Sequence, residues 1–225
     1  AGALTLTAQN GVTLADDASI GGLLTINSDS DDNGSGTTAF SSTVTNTNNN
    51  ISITADLITI AAAVNVGNGT VTLIPSYDQT IGLNADKDVD ITTAELGRIT
   101  AGTLAITTDP AAASTITIGS TANTTPYGNI GTLLLTGTDT GSVNNQILFS
   151  SGNLHVNNLT IDANSTSAVA VGWVATDIIA ATNKAVLFSD GAVTASGATP
   201  TVTAPGSGNI SFGEAVSVTA GGSSD

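Results

Sequence analysis

The chain has 225 residues, with 18 acidic and three basic side chains, a formal net charge of −15 and no cysteine. So few cations exclude nucleic-acid binding and attraction to an anionic membrane surface, because both need clustered Lys or Arg. The absence of cysteine excludes disulfides and thiolate metal sites. No apolar run reaches the roughly 18 residues of a membrane-spanning helix, so we expect no membrane insertion. A hydrophobic fraction of 40% argues against disorder.

Alternation of apolar and polar residues runs through the whole chain, starting at Leu4-Thr5-Leu6-Thr7. Thr, Val and Ile pack well on a pleated sheet, and a period of two buries one face of a strand. Only Asp90 to Arg98 could hold one helical turn, since good helix formers are scarce elsewhere. The sequence therefore predicts an all-β fold. Further alternating stretches are Ile51-Ser52-Ile53-Thr54, Val71-Thr72-Leu73, Val89-Asp90-Ile91, Ile116-Thr117-Ile118 and Val216-Ser217-Val218.

A short pattern recurs in which a Gly or Asn turn precedes an apolar-x-apolar strand, as at Gly69-Thr70-Val71 and Gly102-Thr103-Leu104. Its copies lie roughly 20–35 residues apart, which is typical of solenoid repeats. We predict one elongated parallel β-solenoid over residues 1–225, with a β-sandwich of immunoglobulin type as the alternative. Asn and Thr side chains at Thr45 to Asn50 are expected to form hydrogen-bonded ladders between coils.

An Asp/Asn/Gly-rich insertion near residues 28–37 carries the sharpest motif, Asp29-Ser30-Asp31-Asp32-Asn33-Gly34. It matches the opening of an EF-hand calcium loop, in which alternate oxygens converge and Gly permits the turn. Phe40 stands where the bidentate Glu of a complete EF-hand would be, so a full EF-hand is excluded. The sequence predicts either a partial calcium site with Asp29, Asp31 and Asn33 as ligands, or a solvated loop between coils.

Other candidate residues are few. Asp86, Asp88 and Asp90 are expected to share one strand face, where they would chelate a cation, flank a sugar or face water. His155 lies between Leu154 and Val156, so it is expected to point outward. The sequence contains no nucleophile-elbow, P-loop or zinc-protease motif. We therefore expect no catalytic residues and no cofactor other than calcium.

The aromatic residues give two further expectations. Trp173 is expected in the core or at a seam between subunits, because aromatic side chains contribute a large buried area. Tyr77 and Tyr127 follow Pro75-Ser76 and Pro126, so they are expected at turns, where an exposed ring could stack on a sugar.

The ends of the predicted solenoid lack a capping element. Ala1 to Leu14 is already strand-like, and Ser211 to Thr219 still alternates. An end coil without a cap exposes unpaired strand N–H and C=O groups, which are a template for pairing with another strand. We expect head-to-tail stacking of subunits or continuation into further repeats of a longer chain. The sequence begins with Ala1 rather than Met and shows no charged n-region or apolar h-region after it, so we expect a processed product or a piece of something longer.

A sequence motif of large bacterial secreted repeat proteins of the filamentous haemagglutinin type resembles two stretches of this chain, Thr80-Ile81-Gly82-Leu83 and Thr92 to Leu104. Similar sequence patterns occur at Leu24 to Asp29 and Gly131 to Leu135. The resemblance implies a right-handed parallel β-helix in an exported fibre or adhesin on the bacterial cell surface. The N-terminal secretion domain of that family is not apparent in this chain.

Three functions are compatible with these patterns. The preferred one is a non-catalytic extracellular structural or adhesive protein, which assembles end to end and carries its negative charge for solubility. The alternative is a carbohydrate-binding or carbohydrate-cleaving β-helix module, with surface glycans as partners. An ice-binding solenoid is the third, suggested by Thr-x-Thr pairs such as Thr5/Thr7, although the repeat lengths vary too much for one flat array.

Overall fold

The computed structural model describes residues 2–77, 79–109, 114–119, 127, 129–137, 146–162, 170–173, 177–190, 192–195, 201–213 and 217–220. Within these ranges the chain winds into stacked coils, and every described strand pair is parallel. The predicted all-β parallel solenoid is confirmed. The immunoglobulin-type alternative is wrong, because that fold pairs its strands antiparallel.

The strands are short, as expected for a chain that turns a corner every few residues. Before the helix they are β1 (Leu4–Thr7), β2 (Val12–Leu14), β3 (Ala18–Ser19), β4 (Leu24–Asn27), β5 (Thr37–Phe40), β6 (Val44–Thr45), β7 (Ile51–Ala55), β8 (Leu57–Ile60), β9 (Val64–Asn65), β10 (Thr70–Pro75), β11 (Ile81–Leu83) and β12 (Val89–Ile91). The helical turn α1 (Thr93–Leu96) follows. The later strands are β13 (Ile99–Thr107), β14 (Thr115–Ile118), β15 (Ile130–Thr136), β16 (Gln146–Phe149), β17 (Asn153–Val156), β18 (Asn158–Asp162), β19 (Ala170–Trp173), β20 (Asp177–Ala180), β21 (Val186–Asp190), β22 (Ala192–Ala195), β23 (Val202–Thr203), β24 (Ile210–Phe212) and β25 (Ser217–Ala220).

The strands form three faces around the solenoid. The first face runs β1-β4-β7-β10-β13-β15-β18-β21-β24 along the stack. The second face consists of β2-β5-β8 and β12-β11-β14-β16-β19-β22-β25. The third consists of β3-β6-β9, which joins the start of β13, and of β17-β20-β23. Each coil therefore depends on its neighbours for its backbone hydrogen bonds.

Alternate residues of each strand point inward and stack in columns. Leu24 pairs with Ile51, which pairs with Val71, and all three are buried. The buried apolar residues form one cluster that extends from Leu24 to Phe188. Successive coils differ in length, from 20 residues between Leu4 and Leu24 to 33 between Val71 and Leu104. The variation lies mainly in the corners, since the paired strands of the first face keep their register except for one shift between β18 and β21.

The predicted Asn ladder is present at the corner before the first face. The Oδ1 of Asn48 accepts a hydrogen bond from the amide of Asn68 at 3.2 Å, and the Oδ1 of Asn50 accepts from the amide of Thr70 at 2.9 Å. These donors are backbone N–H groups at a corner, where no strand supplies a partner. The predicted hydrogen bonding between coils over Thr45 to Asn50 is thus confirmed for Asn48 and Asn50, whose partners are backbone amides.

The fourth coil departs from the regular winding. Strand β11 lies between β12 and β14, and it pairs in parallel with both. The chain passes from β11 to β12 through residues 84–88 alone. Asn84 and Asp86 have φ values of 51°, a conformation that makes this tight connection possible. Nothing in the alternation pattern indicates this backward step.

The helical turn α1 is fastened to the preceding coil. Thr92 and Glu95 form a capping box, and the Oε1 of Glu95 also accepts from the amide of Ile60 at 2.9 Å. Nη1 of Arg98 donates to the carbonyl of Ile60 at 2.6 Å. The predicted helical turn within Asp90 to Arg98 is confirmed. No helix in the described part of the chain is long and apolar enough to span a membrane.

Candidate functional site

The predicted calcium motif, Asp29 to Gly34, forms a loop (the acidic loop) that reaches across a neighbouring coil. Oγ of Ser76 donates to Oδ2 of Asp29 at 2.7 Å, and the amide of Tyr77 donates to Oδ1 of Asp32 at 2.7 Å. Asp29 belongs to the second coil and Ser76 to the fourth. The third coil turns this corner with Asp56 alone, between β7 and β8. The low corner of the third coil leaves room for the acidic loop to pass over it.

Asp29 organises this loop from the inside. It is only 2% exposed, and its carboxylate also accepts from the amides of Asn33 at 3.2 Å and Gly34 at 3.1 Å. Burial opposes ionisation, but the hydrogen bonds from Ser76 and from these two amides outweigh it and lower the pKa of Asp29 below 3.8. The carboxylate is therefore stabilised as an anion by the protein's own donors.

Asp56 lies beneath the acidic loop in the opposite electrostatic situation. Its burial, together with the charges of Asp29 and Asp88, raises the pKa of Asp56 above 3.8. The amide of Asp56 donates to the carbonyl of Gly36 at 2.9 Å. The corner thus holds one carboxylate stabilised by donors and another that is destabilised by burial and by like charge.

The three predicted calcium ligands contact one another, but their side chains do not all point the same way. Asp29 is turned inward onto Ser76, whereas Nδ2 of Asn33 donates to Oδ2 of Asp31 at 2.7 Å on the exposed side of the loop. The described residues contain no group of three or more acidic or histidine side chains placed to hold a metal ion. Calcium binding here stays a prediction, and the contacts of Asp29 favour an organising role for that residue.

The other acidic triplet brings a correction. Asp86, Asp88 and Asp90 do not share one strand face, since β12 begins at Val89 and Asp86 lies in the connection with a positive φ. Oδ2 of Asp88 accepts from the hydroxyl of Thr80 at 2.7 Å and from its amide at 3.0 Å, which lowers the pKa of Asp88. Oδ1 of Asp90 accepts from the amide of Ala85 at 3.0 Å. Asp88 and Asp90 therefore brace the tight connection.

A groove of about 410 Å³ opens beside the acidic loop, along the edge of the first face. Outward side chains of three successive coils line its floor, and corner residues line its sides. Its residues include Thr54, Thr72, Ile74, Pro75 and Thr107 on strands, and Asp32, Ser76, Thr108 and Asp109 at corners. The volume falls within the range of about 300–1,000 Å³ that is typical of small-ligand sites.

Tyr77 lies next to this groove. It is 45% exposed, and its ring lies against Gly34, where an added Cβ would be 3.2 Å from Cδ1 of the tyrosine. The expectation that both tyrosines lie at turns is confirmed, since the carbonyl of Tyr127 accepts from the amide of Ile130 at 3.0 Å. Only Tyr77 is exposed, whereas Tyr127 is 9% exposed and packs in the core.

Two further expectations concern single residues. His155 is half-buried between the buried Leu154 and Val156, so it points away from the core as expected. Trp173 ends β19 and pairs with Phe149, but its side chain lies outside the described part of the structure. His155 is not among the residues that line the groove.

The ends of the stack expose residues that are buried in every coil between. Leu4 continues the inward column of Leu24 and Ile51, yet it is 40% exposed. Ile210 and Phe212, on the last described strand of the first face, are 39% and 53% exposed. No helix covers either end in the part of the chain that the structure describes.

Comparison with protein-family models, with curated protein sequences and with solved structures found no match for this chain.

Proposed function

We propose that this chain is a non-catalytic, extracellular structural or adhesive solenoid of the bacterial cell surface. It stacks or continues end to end into a fibre or matrix. The observation that carries the proposal is the pair of open ends, where inward positions such as Leu4 and Phe212 are about half exposed. Sheet edges of this kind are templates for another strand, and native proteins otherwise cover or charge them.

The charge distribution supports the same function. A formal net charge of −15 keeps the lateral faces of neighbouring fibres apart, because like-charged surfaces repel. The end columns, by contrast, are apolar: Leu4 and Leu6 stand at one end, and Ile210 and Phe212 at the other. Association is therefore favoured along the stack and disfavoured between its sides. The resemblance to secreted repeat proteins is consistent with display outside the cell.

The proposal predicts that self-association depends on the ends and not on exposed apolar residues in general. Phe212→Asp or Leu4→Asp is expected to lower association at least tenfold, because each places a charge in an apolar contact. Leu57→Asp is the matched control, since Leu57 is 38% exposed on a lateral face. Sedimentation velocity and electron microscopy measure the association. A native chain that stays monomeric at high concentration, with no longer precursor, would contradict the proposal.

A second candidate function, carbohydrate binding, is favoured by the groove beside the acidic loop. Asp32 supplies a carboxylate acceptor, and Thr54, Thr72 and Thr107 supply hydroxyls. A neutral sugar offers many hydroxyl donors to such groups, and Pro75 adds an apolar contact. An anionic glycan is disfavoured, since the described lining contains no cation.

The groove predicts binding of a neutral oligosaccharide, for which cellotetraose and maltotetraose are suitable probes. Titration followed by amide NMR should shift the signals of Ser76, Tyr77 and Thr108 first. Thr72→Val should weaken binding about 2–10-fold, because it removes one hydrogen-bonding hydroxyl and keeps the shape. Thr25→Val, on the same outward row two coils away, is the control. Unchanged spectra at millimolar sugar would exclude this second function.

A further inference from the structure

The hydrogen bonds that Asp and Asn side chains accept from another coil share a direction, whereas Glu95 accepts in the opposite sense, from the amide of Ile60 in the earlier coil. Where an Asp or Asn side chain accepts from the backbone amide of another coil, the acceptor lies in the earlier coil and the donor in the later one. The described examples are Asp17 with Thr43, Asp32 with Tyr77, Asn48 with Asn68, Asn50 with Thr70, Asn158 with Ala185, Asp177 with Thr201 and Asn183 with Ser207. In these side-chain columns the two ends of the stack therefore differ: the later end presents side-chain acceptors, and the earlier end presents the amides that such acceptors bind.

One column of residues shows what each end offers. It consists of the residue immediately before the inward residue of each first-face strand, and we call it the lead column. In order along the stack it contains Ala3, Leu23, Asn50, Thr70, Thr103, Thr132, Asn158, Ala185 and Asn209. Asn50 and Asn158 each accept from the amide of the next member, at 2.9 and 3.0 Å. Asn209, the last described member, is exposed.

One backbone hydrogen bond recurs from coil to coil beside the lead column. The amide of each inward residue donates to the carbonyl of the lead-column residue in the next coil. Leu4 donates to Leu23 at 2.8 Å, and Val186 donates to Asn209 at 2.9 Å. Leu24 with Asn50 and Leu159 with Ala185 make the same bond. Continued by one coil, the series requires a carbonyl acceptor for the amide of Ile210.

The inward apolar column also ends with an exposed residue, Phe212, at the same end of the stack as Asn209. Phe212 stacks on Phe188 with ring centroids 5.1 Å apart, and its outer side is open, since it is 53% exposed. At the other end, Leu6 occupies the same inward column, because it pairs with Ile26. A Leu laid on Phe212 would continue the column at the strand spacing of about 4.8 Å.

We infer that a second copy of this chain docks head to tail in one register, with Leu4 beside Ile210, Thr5 beside Ser211 and Leu6 beside Phe212. In this register the amide of Ile210 donates to the carbonyl of Ala3, and Oδ1 of Asn209 accepts from the amide of Ala3. The inference rests on the proposed end-to-end function and adds its polarity and register. Two like ends facing each other would instead pair the strands antiparallel, unlike every described strand pair of the stack.

The register can be tested by disulfide trapping, because the chain has no cysteine of its own. Ser211→Cys and Thr5→Cys, on separate chains, place two outward residues on adjacent parallel strands. Their Cα atoms would be about 4.8 Å apart, within the range of about 4.4–6.8 Å that a disulfide spans. Thr7→Cys is the out-of-register control, since it lies two residues further along the same face of β1. Oxidised glutathione serves as the oxidant, and non-reducing electrophoresis with mass spectrometry identifies the linked peptides.

We expect the yield of the disulfide that links position 211 of one chain to position 5 of another to be at least fivefold higher than the yield of the 211–7 disulfide or of either homodimer. A higher yield of the 211–211 or the 5–5 homodimer would overturn the polarity. Equal yields of the 211–5 and 211–7 disulfides would overturn the register. If sedimentation shows self-association without the mixed disulfide, the register is wrong and the proposed function stands. If the chains stay monomeric at every concentration, the inference falls together with stacking of separate copies.

Discussion

Gly69→Ala is expected to lower the free energy of unfolding by about 3 kcal/mol or more, at the upper end of overpacking costs. A Cβ at Gly69 would lie 2.1 Å from the carbonyl oxygen of Asn49 in the neighbouring coil. Backbone atoms cannot rotate away as a side chain can, so the two coils must separate where Val71 pairs with Ile51. Urea denaturation followed by far-ultraviolet circular dichroism measures the loss.

Gly97→Ala is the matched control for this prediction. Gly97 ends α1 with φ −65°, and an added Cβ there would meet nothing closer than 3.5 Å. Replacing Gly by Ala at such a position changes stability by about +0.4 to +1 kcal/mol, because the unfolded chain loses freedom. Equal destabilisation by the two substitutions would mean that close contact between coils does not limit the fold at Gly69.

Asp29→Asn is expected to destabilise the chain by about 2–4 kcal/mol. The substitution keeps the shape but replaces one acceptor oxygen with a donor, which then faces Ser76 or the amides of Asn33 and Gly34. Hydrogen bonds to a charged group contribute about 1.5–3 kcal/mol each, and a buried donor left without a partner adds a penalty. Asp31→Asn, on the exposed side of the acidic loop, is the control and should change stability by less than about 0.5 kcal/mol.

The dependence of stability on pH provides an independent check on the same corner. Asp29 and Asp88 have pKa values lowered below 3.8, so their contribution is present above that pH and is lost as the pH falls below it. Asp56 has a raised pKa, so protonating it as the pH falls from neutral toward 3.8 stabilises the fold. Stability should therefore rise on mild acidification and fall below pH 3.8. Asp56→Asn should abolish the rise, and a rise that persists in this variant would contradict the assignment.

The effect of calcium on thermal stability tests the role of the acidic loop. If Asp31 and Asn33 bind the ion, calcium should raise the melting temperature of the native chain and a chelator should lower it, because a ligand that binds only the folded state stabilises it. If the acidic loop serves only to connect the second and fourth coils, calcium and chelator should leave the melting temperature unchanged while Asp29→Asn still destabilises.

Fold class was readable from local patterns because a solenoid repeats them. Alternation in stretches such as Ile51 to Thr54 predicts which side chains are buried, and the recurring Gly or Asn turn predicts the coil. The ladder at Asn48 and Asn50 followed from the same repeat, since a side chain at a corner meets its neighbour one coil away. The helical turn near Glu95 was readable from the few helix formers present.

The site was less predictable, because its contacts join residues that are far apart in the sequence. Asp29 reads as a calcium ligand in its local motif, yet its partner Ser76 lies 47 residues later. No local signal shows that the third coil turns its corner at Asp56 alone, which lets the acidic loop pass over it. The triplet at Asp86, Asp88 and Asp90 was assigned to one strand face, because a backward step between β11 and β12 leaves no trace in the alternation.

The amino-acid sequence by itself determined that this chain forms short strands around an apolar core, since alternation and turn residues act over a few neighbouring positions. It favoured a parallel solenoid over an antiparallel sandwich, and the pairing between coils decided between the two. Tertiary structure alone decided that the acidic loop passes over the third coil, that Asp29 is buried and where the groove opens. These features depend on how coils of unequal length stack. The same stacking makes the two ends differ, with Asn209 offering an acceptor where Ala3 offers an amide. That difference is a property of register between coils, which only the folded chain displays.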